Sequence, residues 1–460
     1  MRFGPALAVH RFVLGNGLRV LLCEDHGAPV ISVHTWVNVG SRFEARGKSG
    51  LSHLFEHLMF GETNGYAHGA FDRRLEEAGA ESNAATFLDW TMYHESLPRD
   101  ALPLVLDLEV ARFAGLALRD DTVASEKEVV SNERRQRVDD DVDGAVSELL
   151  WTTAFPTHGY GIPTIGFMDD IASLTTDDCR RFYATYYSPN NIALVLVGDL
   201  EPLGALALVQ ERYGLLAPSE LPVEDVRPEP PQTTERRLHI QKPTETHKVA
   251  VGYRGPALGD FDHAPLVVLN EILFGGRASR GYRRFVHEKE LATEVRGWVG
   301  TFRDPSLYDL YLVGRDAITA DTLLAELDAM LAEVVTAPVS EAELERAKAR
   351  LELGALQGLD TASGKAEQIG FYELVLGDPG ALYQRIEATR RVTRADVLRA
   401  ARRVLDPNAR TVILVAPDGT AAGEGDEGDG DEDDDLSGGG GGGGDGAFDD
   451  GPFERREVSP

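Results

Sequence analysis

The chain has 460 residues, 42% hydrophobic, 27% charged and 8% aromatic, a composition that suits a globular protein of more than one domain. Its formal net charge of −30 excludes the basic footprint that nucleic-acid binding needs, and two cysteines exclude a disulfide scaffold or a four-cysteine metal site. Part of the charge is local: residues 421–460 hold fourteen acidic side chains against two arginines, a net of −12 that leaves −18 on the first 420 residues.

In chain order, the start MRFGPALAVHRFVLGNGLRV has no continuous apolar segment, so no signal peptide is expected. No run reaches the roughly 20 uncharged apolar residues of a membrane span. LRVLLCE and VISVHTWVNV predict strands by their branched residues and partial alternation. SGLSHLFEHLMF predicts a helix through Leu51, Leu54, Phe55 and Leu58, ATFLDWTMYHESL a strand, and ALPLVLDLEVARFAG an amphipathic helix. Asp121–Val138 reads as a charged helix with Val123, Val129 and Val130 inward. A helix capped by Thr175 and Asp178 and the strand IALVLVGD close this half. Cys23 and Cys179 lie in apolar runs and read as buried thiols of a reducing compartment, so a cytoplasmic location is expected.

Residues 218–236 are rich in Pro and acidic side chains and read as a linker; from 419 the chain becomes Gly-rich and acidic and reads as a disordered tail. The blocks before and after the linker resemble each other. LTTDD (174–178) matches VTRAD (392–396), YSPNNIALVLVG (187–198) matches LDPNARTVILVA (405–416), and HLFEHLMFG (53–61) matches VVLNEILFG (267–275). A near-constant offset implies an internal duplication: domains at 1–217 and 237–418, each an α+β sandwich.

The chemistry concentrates in His53-Leu54-Phe55-Glu56-His57. On a helix the two imidazoles, four apart, share a face and can ligate one metal ion, with Glu56 on the same side to take a proton from water. Twelve histidines in a chain of this size generate such a motif by chance about 0.03 times. Glu126 and Glu133, seven apart on the charged helix, lie on one face, so that one can complete the ligand set while the other orients a histidine or a water.

HLFEH followed by this helix resembles the insulinase/pitrilysin family of inverted zinc peptidases, in its short-chain, mitochondrial-processing-peptidase-like form. The resemblance implies that His53, His57 and Glu133, 76 residues after His57, hold Zn²⁺, that Glu56 is the general base, and that Glu126 is the family's second important glutamate. Glu81–Thr86 with Asp89, Thr91 and Tyr93 is similar to the family's substrate-binding strand, where Asn83 and the backbone at Ala84 and Ala85 grip a peptide. His158-Gly-Tyr160-Gly and Tyr187-Ser-Pro189-Asn190-Asn191 match as well. The implied fold is two homologous sandwiches, each an antiparallel sheet with helices on one face, forming a half-clamshell.

In the second copy Val267, Asn270 and Glu271 stand at the motif, so it lacks the zinc site, as the family's second domains do. Family members that act alone carry an Arg and a Tyr in that domain; His287 and Thr293 stand here instead. This implies a zinc-dependent endopeptidase of unfolded peptides or flexible termini. Its expected partner is a homologous subunit carrying Arg and Tyr, or a second copy of the chain, with no nucleic acid and no membrane. Two alternatives stay open: a non-catalytic scaffold that retains the motif, and a zinc hydrolase of non-peptide substrates.

Overall fold

The computed structural model describes residues 2–3, 7–224 and 227–420. The first half builds a seven-stranded sheet from β1 (Arg2–Phe3), β2 (Leu7–Val13), β3 (Arg19–Glu24), β4 (Val30–Val37), β5 (Glu81–Thr86), β6 (Thr91–Pro98) and β7 (Ile192–Gly198). The order is β1-β2-β3-β7-β4-β6-β5, antiparallel except for β3 beside β7. Between the strands run α1 (Leu51–Leu58), α2 (Leu102–Gly115), α3 (Asp120–Arg134), α4 (Val142–Ala154) and α5 (Thr176–Tyr186), with α6 (Pro202–Tyr213) after the last strand.

The second half repeats the plan with five strands, β8 (Arg236–Lys242), β9 (Lys248–Arg254), β10 (Ala292–Val299), β11 (Leu307–Gly314) and β12 (Arg410–Pro417). They are ordered β10-β11-β9-β12-β8, with only β12 and β8 parallel. Its helices include α7 (His263–Phe274), α8 (Ala320–Thr336), α9 (Glu341–Gln357), α10 (Ala362–Leu376) and α11 (Arg394–Val404). The duplication extends to side chains. Thr175 and Asp178 form a reciprocal cap on α5, and Thr393 and Asp396, 218 residues later, form the same cap on α11.

Alternation decides what each sheet face meets. In β3 and β7, Val20, Leu22, Leu194 and Leu196 turn toward the helices of their own half, including α1 and α2. Leu21, Cys23, Ala193, Val195 and Val197 turn the other way and pack on Ala366, Ile369 and Val375 of α10, a helix of the second half. The exchange is mutual, since Val146, Leu150 and Ala154 of α4 pack on Ala250, Ile413 and Val415 of the second sheet. Each sheet thus has its own helices on one face, as expected, and a helix of the other half on its second face. Double coverage explains why β7 is buried at every position. Gly370 allows α10 to approach so closely, because a Cβ there would lie 2.0 Å from the Trp36 indole nitrogen.

Two details differ from the sequence reading. Val123 and Val130 of α3 are buried but Val129 is 45% exposed, because residues seven apart share a helix face and an adjacent residue is turned 100° away. The described residues of the Pro-rich stretch form no regular element before β8, yet Glu229 within it is tied down, accepting from the amides of Thr157 and His158 at 2.8 Å. Of the acidic tail expected over 419–460, residues 421–460 lie outside the described residues. No helix among those described is long and apolar enough to cross a membrane.

Candidate metal centre

Helix α1 forms where Leu51, Leu54, Phe55 and Leu58 recur at helical spacing and are all buried. Its first turn is closed by Glu44, whose two carboxylate oxygens accept from the amides of Gly50 and Ser52 at 2.6 Å each. Burial pushes the Glu44 carboxyl up to about 8 despite those bonds. At the other end Tyr93 donates its hydroxyl to the Phe55 carbonyl at 2.8 Å, tying the helix to β6. So fixed, α1 presents His53, which is buried, and His57, which is half-buried, toward α3.

Across that seam Glu133 meets both rings, with its Oε2 3.3 Å from His57 Nε2 and 3.6 Å from His53 Nε2. One donor atom from each of His53, His57 and Glu133 lies within 4.8 Å of the others, the one such group found among the described residues. Ligands about 2.0–2.1 Å from a tetrahedral zinc are separated by similar spans, and two histidines with one carboxylate are a donor set that leaves a position open. The residues present therefore fit a zinc ion.

The three groups act on one another's protonation. Burial lowers His53, which favours the neutral imidazole a ligand must offer. Burial is the largest single influence on His57 and acts downward, but the hydrogen bond with Glu133 and the charges of Glu133, Glu56 and Glu126 together outweigh it and raise the group. Burial acts upward on Glu133, and the contact with His57 together with the charges of His53 and Arg137 holds it down at about 2. Glu126, two turns earlier on the same face of α3, approaches His57 Nδ1 at 3.7 Å, on the nitrogen that Glu133 does not face.

Glu56 follows His53 by three residues and lines a cavity of about 180 Å³ together with His53 and Arg137. Ala85 and Thr86 of β5 form a second side, and Trp151, Trp298 and Phe302 form an aromatic wall to which both halves contribute. β5 is the terminal strand of its sheet, and there Asn83 is exposed and accepts from the Ala84 amide at 2.8 Å. Asp89 and Tyr160 lie nearby in a joint between the halves, where the Tyr160 hydroxyl donates to Asp89 and Asp89 accepts from the Arg303 amide at 2.8 Å. His158 reaches Asp304 in the same joint at 3.4 Å.

The aromatic wall and Arg137 were not picked out by sequence reasoning. Trp151 and Trp298 stand 147 residues apart, and only the exchange of helices between halves unites them. The available signal for Arg137 was its position four residues after Glu133, one turn along the same helix face. His287 and Thr293 are both exposed, the second at the start of edge strand β10.

Comparison with known proteins follows the same lines. The model of the insulinase family (peptidase family M16) matches residues 19–166, and that of the peptidase M16 inactive domain matches residues 173–351. The zinc protease PqqE of Helicobacter pylori is 30% identical over 411 residues, spanning 88% of this chain and 92% of the relative. The mitochondrial-processing peptidase subunit beta of Lentinula edodes is 26% identical over 406 residues, 85% of this chain and 86% of that protein. A solved protease from Helicobacter pylori has a TM-score of 0.86 at 29% identity, covering 90% of this chain and 100% of that one. The first half of the periplasmic protease PqqL from Escherichia coli shares the fold, with a TM-score of 0.73 at 21% identity over 92% and 94% of the two chains. By sequence, by fold and by the pairing of a motif-bearing half with a motif-free one, the chain belongs to the insulinase family, peptidase family M16.

Proposed function

We propose that this chain is a zinc-dependent endopeptidase that cleaves unfolded peptides or flexible termini as the metal-bearing subunit of a dimer. The reading rests above all on one observation: His53, His57 and Glu133 converge from two helices beside a cavity that Glu56 also lines. Those three residues would hold a zinc ion, which would supply Lewis acidity toward the scissile carbonyl and the attacking water. Glu56 accepts the proton of the attacking water and returns it to the leaving amine. Glu126 steadies the His57 ring through its other nitrogen.

The peptide lies along β5 as an added strand, gripped by Asn83 and by the backbone at Ala84 and Ala85. Its side chain beside the scissile bond enters the cavity, where Trp151, Trp298 and Phe302 favour an apolar group. The domain at 1–217 carries the chemistry. The domain at 237–418 supplies a wall of the cleft and no metal, and the stretch at 218–236 joins them.

His287 and Thr293 leave the second domain without the Arg and Tyr that family members acting alone direct at the substrate carbonyl. A missing donor of that kind costs about 2.7–4 kcal/mol of transition-state stabilisation. A homologous partner subunit without zinc supplies it in this reading, or a second copy of the chain encloses the substrate. The buried free thiols Cys23 and Cys179 accord with a cytoplasmic setting. The same substitutions at 287 and 293 favour, as a second reading, a scaffold subunit that keeps its zinc motif without catalysis.

Glu56→Gln separates these readings. It is expected to keep zinc and to lose peptide cleavage by about 10²–10⁴-fold. Unchanged cleavage would remove Glu56 from the mechanism, and no cleavage by the wild-type chain with its co-purifying partner would favour the scaffold.

A further inference from the structure

The two oxygens of Glu133 are not equivalent. Oε2 faces both imidazoles, while Oε1 faces Arg137 Nη1 at 3.0 Å. Arg137 lies in a wide π-helical turn, Arg135–Asp139, that continues α3. Its backbone is pinned there, since the Arg137 carbonyl sits so close to Gly144 of α4 that a Cβ on Gly144 would lie 1.9 Å from it. The neighbouring arginines are engaged elsewhere. Arg134 grips Glu148 with both terminal nitrogens, and Arg135 bonds Asn132. Arg137 alone of the three turns to Glu133, and it also lines the cavity with His53 and Glu56.

We propose, on the basis of the metal-centre reading above, that Arg137 is the positioning residue that commits Glu133 to ligate through Oε2 alone. A glutamate side chain has three rotatable bonds, and a carboxylate left to itself can offer a metal either oxygen or both. The guanidinium occupies Oε1 and so restricts both the rotamer and the mode of ligation. Opposing this, a cation near a divalent ion repels it. That repulsion is screened, because the Arg137 side chain is 39% exposed and the carboxylate stands between the two charges. The positioning effect prevails.

The test is a double-mutant cycle on the full chain, read by zinc affinity in competition with a chelator and by the visible spectrum of the Co²⁺-substituted protein. Arg137→Gln is expected to weaken zinc binding about 10–100-fold and to change the Co²⁺ spectrum. Arg137→Lys, which keeps a cation within reach of Oε1, is expected to recover most of the loss. In a Glu133→Gln background the Arg137→Gln change is expected to add nothing. Equal affinity and an equal spectrum for wild type and Arg137→Gln would overturn the proposal while leaving the metal centre intact, as would the same fold-loss in both backgrounds. A wild-type chain that takes up no zinc would overturn the metal-centre reading and this proposal with it.

Discussion

The two halves set the same pair of helices against each other over different chemistry. In the first, α1 and α3 bring two imidazoles and a carboxylate to one point. In the second, α7 and α9 bring Glu271 and Arg350 together, with Arg350 Nε 2.5 Å from Glu271 Oε1. Glu271 follows His57 by 214 residues and Arg350 follows Glu133 by 217, so the ion pair stands in the corresponding seam. An arginine and a glutamate neutralise each other and need no third party. Three lone-pair donors facing one point are stable together only when protons or a cation sit among them. The same helix pair thus carries three metal-type donors in one half and an ion pair in the other, through the residues at 53, 57 and 133 and their counterparts at 267, 271 and 350.

The largest expected effect comes from copying the second seam into the first. His57→Glu combined with Glu133→Arg is expected to abolish zinc uptake while leaving the circular-dichroism spectrum of the folded chain unchanged. Zinc retained by this variant, measured by elemental analysis, would break the comparison.

Next in size is the contact through which the halves hold each other. Gly370→Ala places a methyl group 2.0 Å from the Trp36 ring and forces α10 away from the first sheet. It is expected to cost about 1–3 kcal/mol in denaturant unfolding, whereas an unchanged midpoint would mean that α10 is not seated on that face.

A pH-dependent effect follows from Glu44 at the start of α1. Its buried carboxyl titrates near 8, against 4.5 for an ordinary glutamate. The native state therefore holds a proton that the unfolded chain has already released, and the stability linked to it is complete below about 4.5 and falls as pH rises toward 8. Glu44→Gln removes that slope. Urea unfolding of the metal-free chain between these limits is expected to show the variant gaining on the wild type as pH rises, and a constant difference would contradict it.

The smallest effect is expected in the second seam itself. Arg350 is 55% exposed, so Arg350→Ala is expected to cost under about 1 kcal/mol and to leave zinc binding untouched. A larger loss would show that the silent half depends on its ion pair more than its exposure implies.

What could be read from the sequence follows from the range of each signal. The motif helix was legible because four-residue spacing is a local property, and the pairing of Glu126 with Glu133 because seven-residue spacing is too. Val129 was misplaced for the opposite reason: apolar character alone, without phase, says nothing about which face a residue takes. The continuous apolar run IALVLVG carried a sign of coverage on both sheet faces, but nothing local says that the second cover comes from a helix some 170 residues away. The aromatic wall of Trp151, Trp298 and Phe302 was illegible for the same reason, since it exists only once α4 has crossed to the other half's sheet.

The central claim is that His53, His57 and Glu133 together hold one zinc ion. Elemental analysis of the purified full chain, wild type beside His57→Ala, tests it most directly. The account predicts about one zinc per wild-type chain and none in the variant; a metal-free wild type that cannot be loaded with zinc, or equal zinc in both, would contradict it.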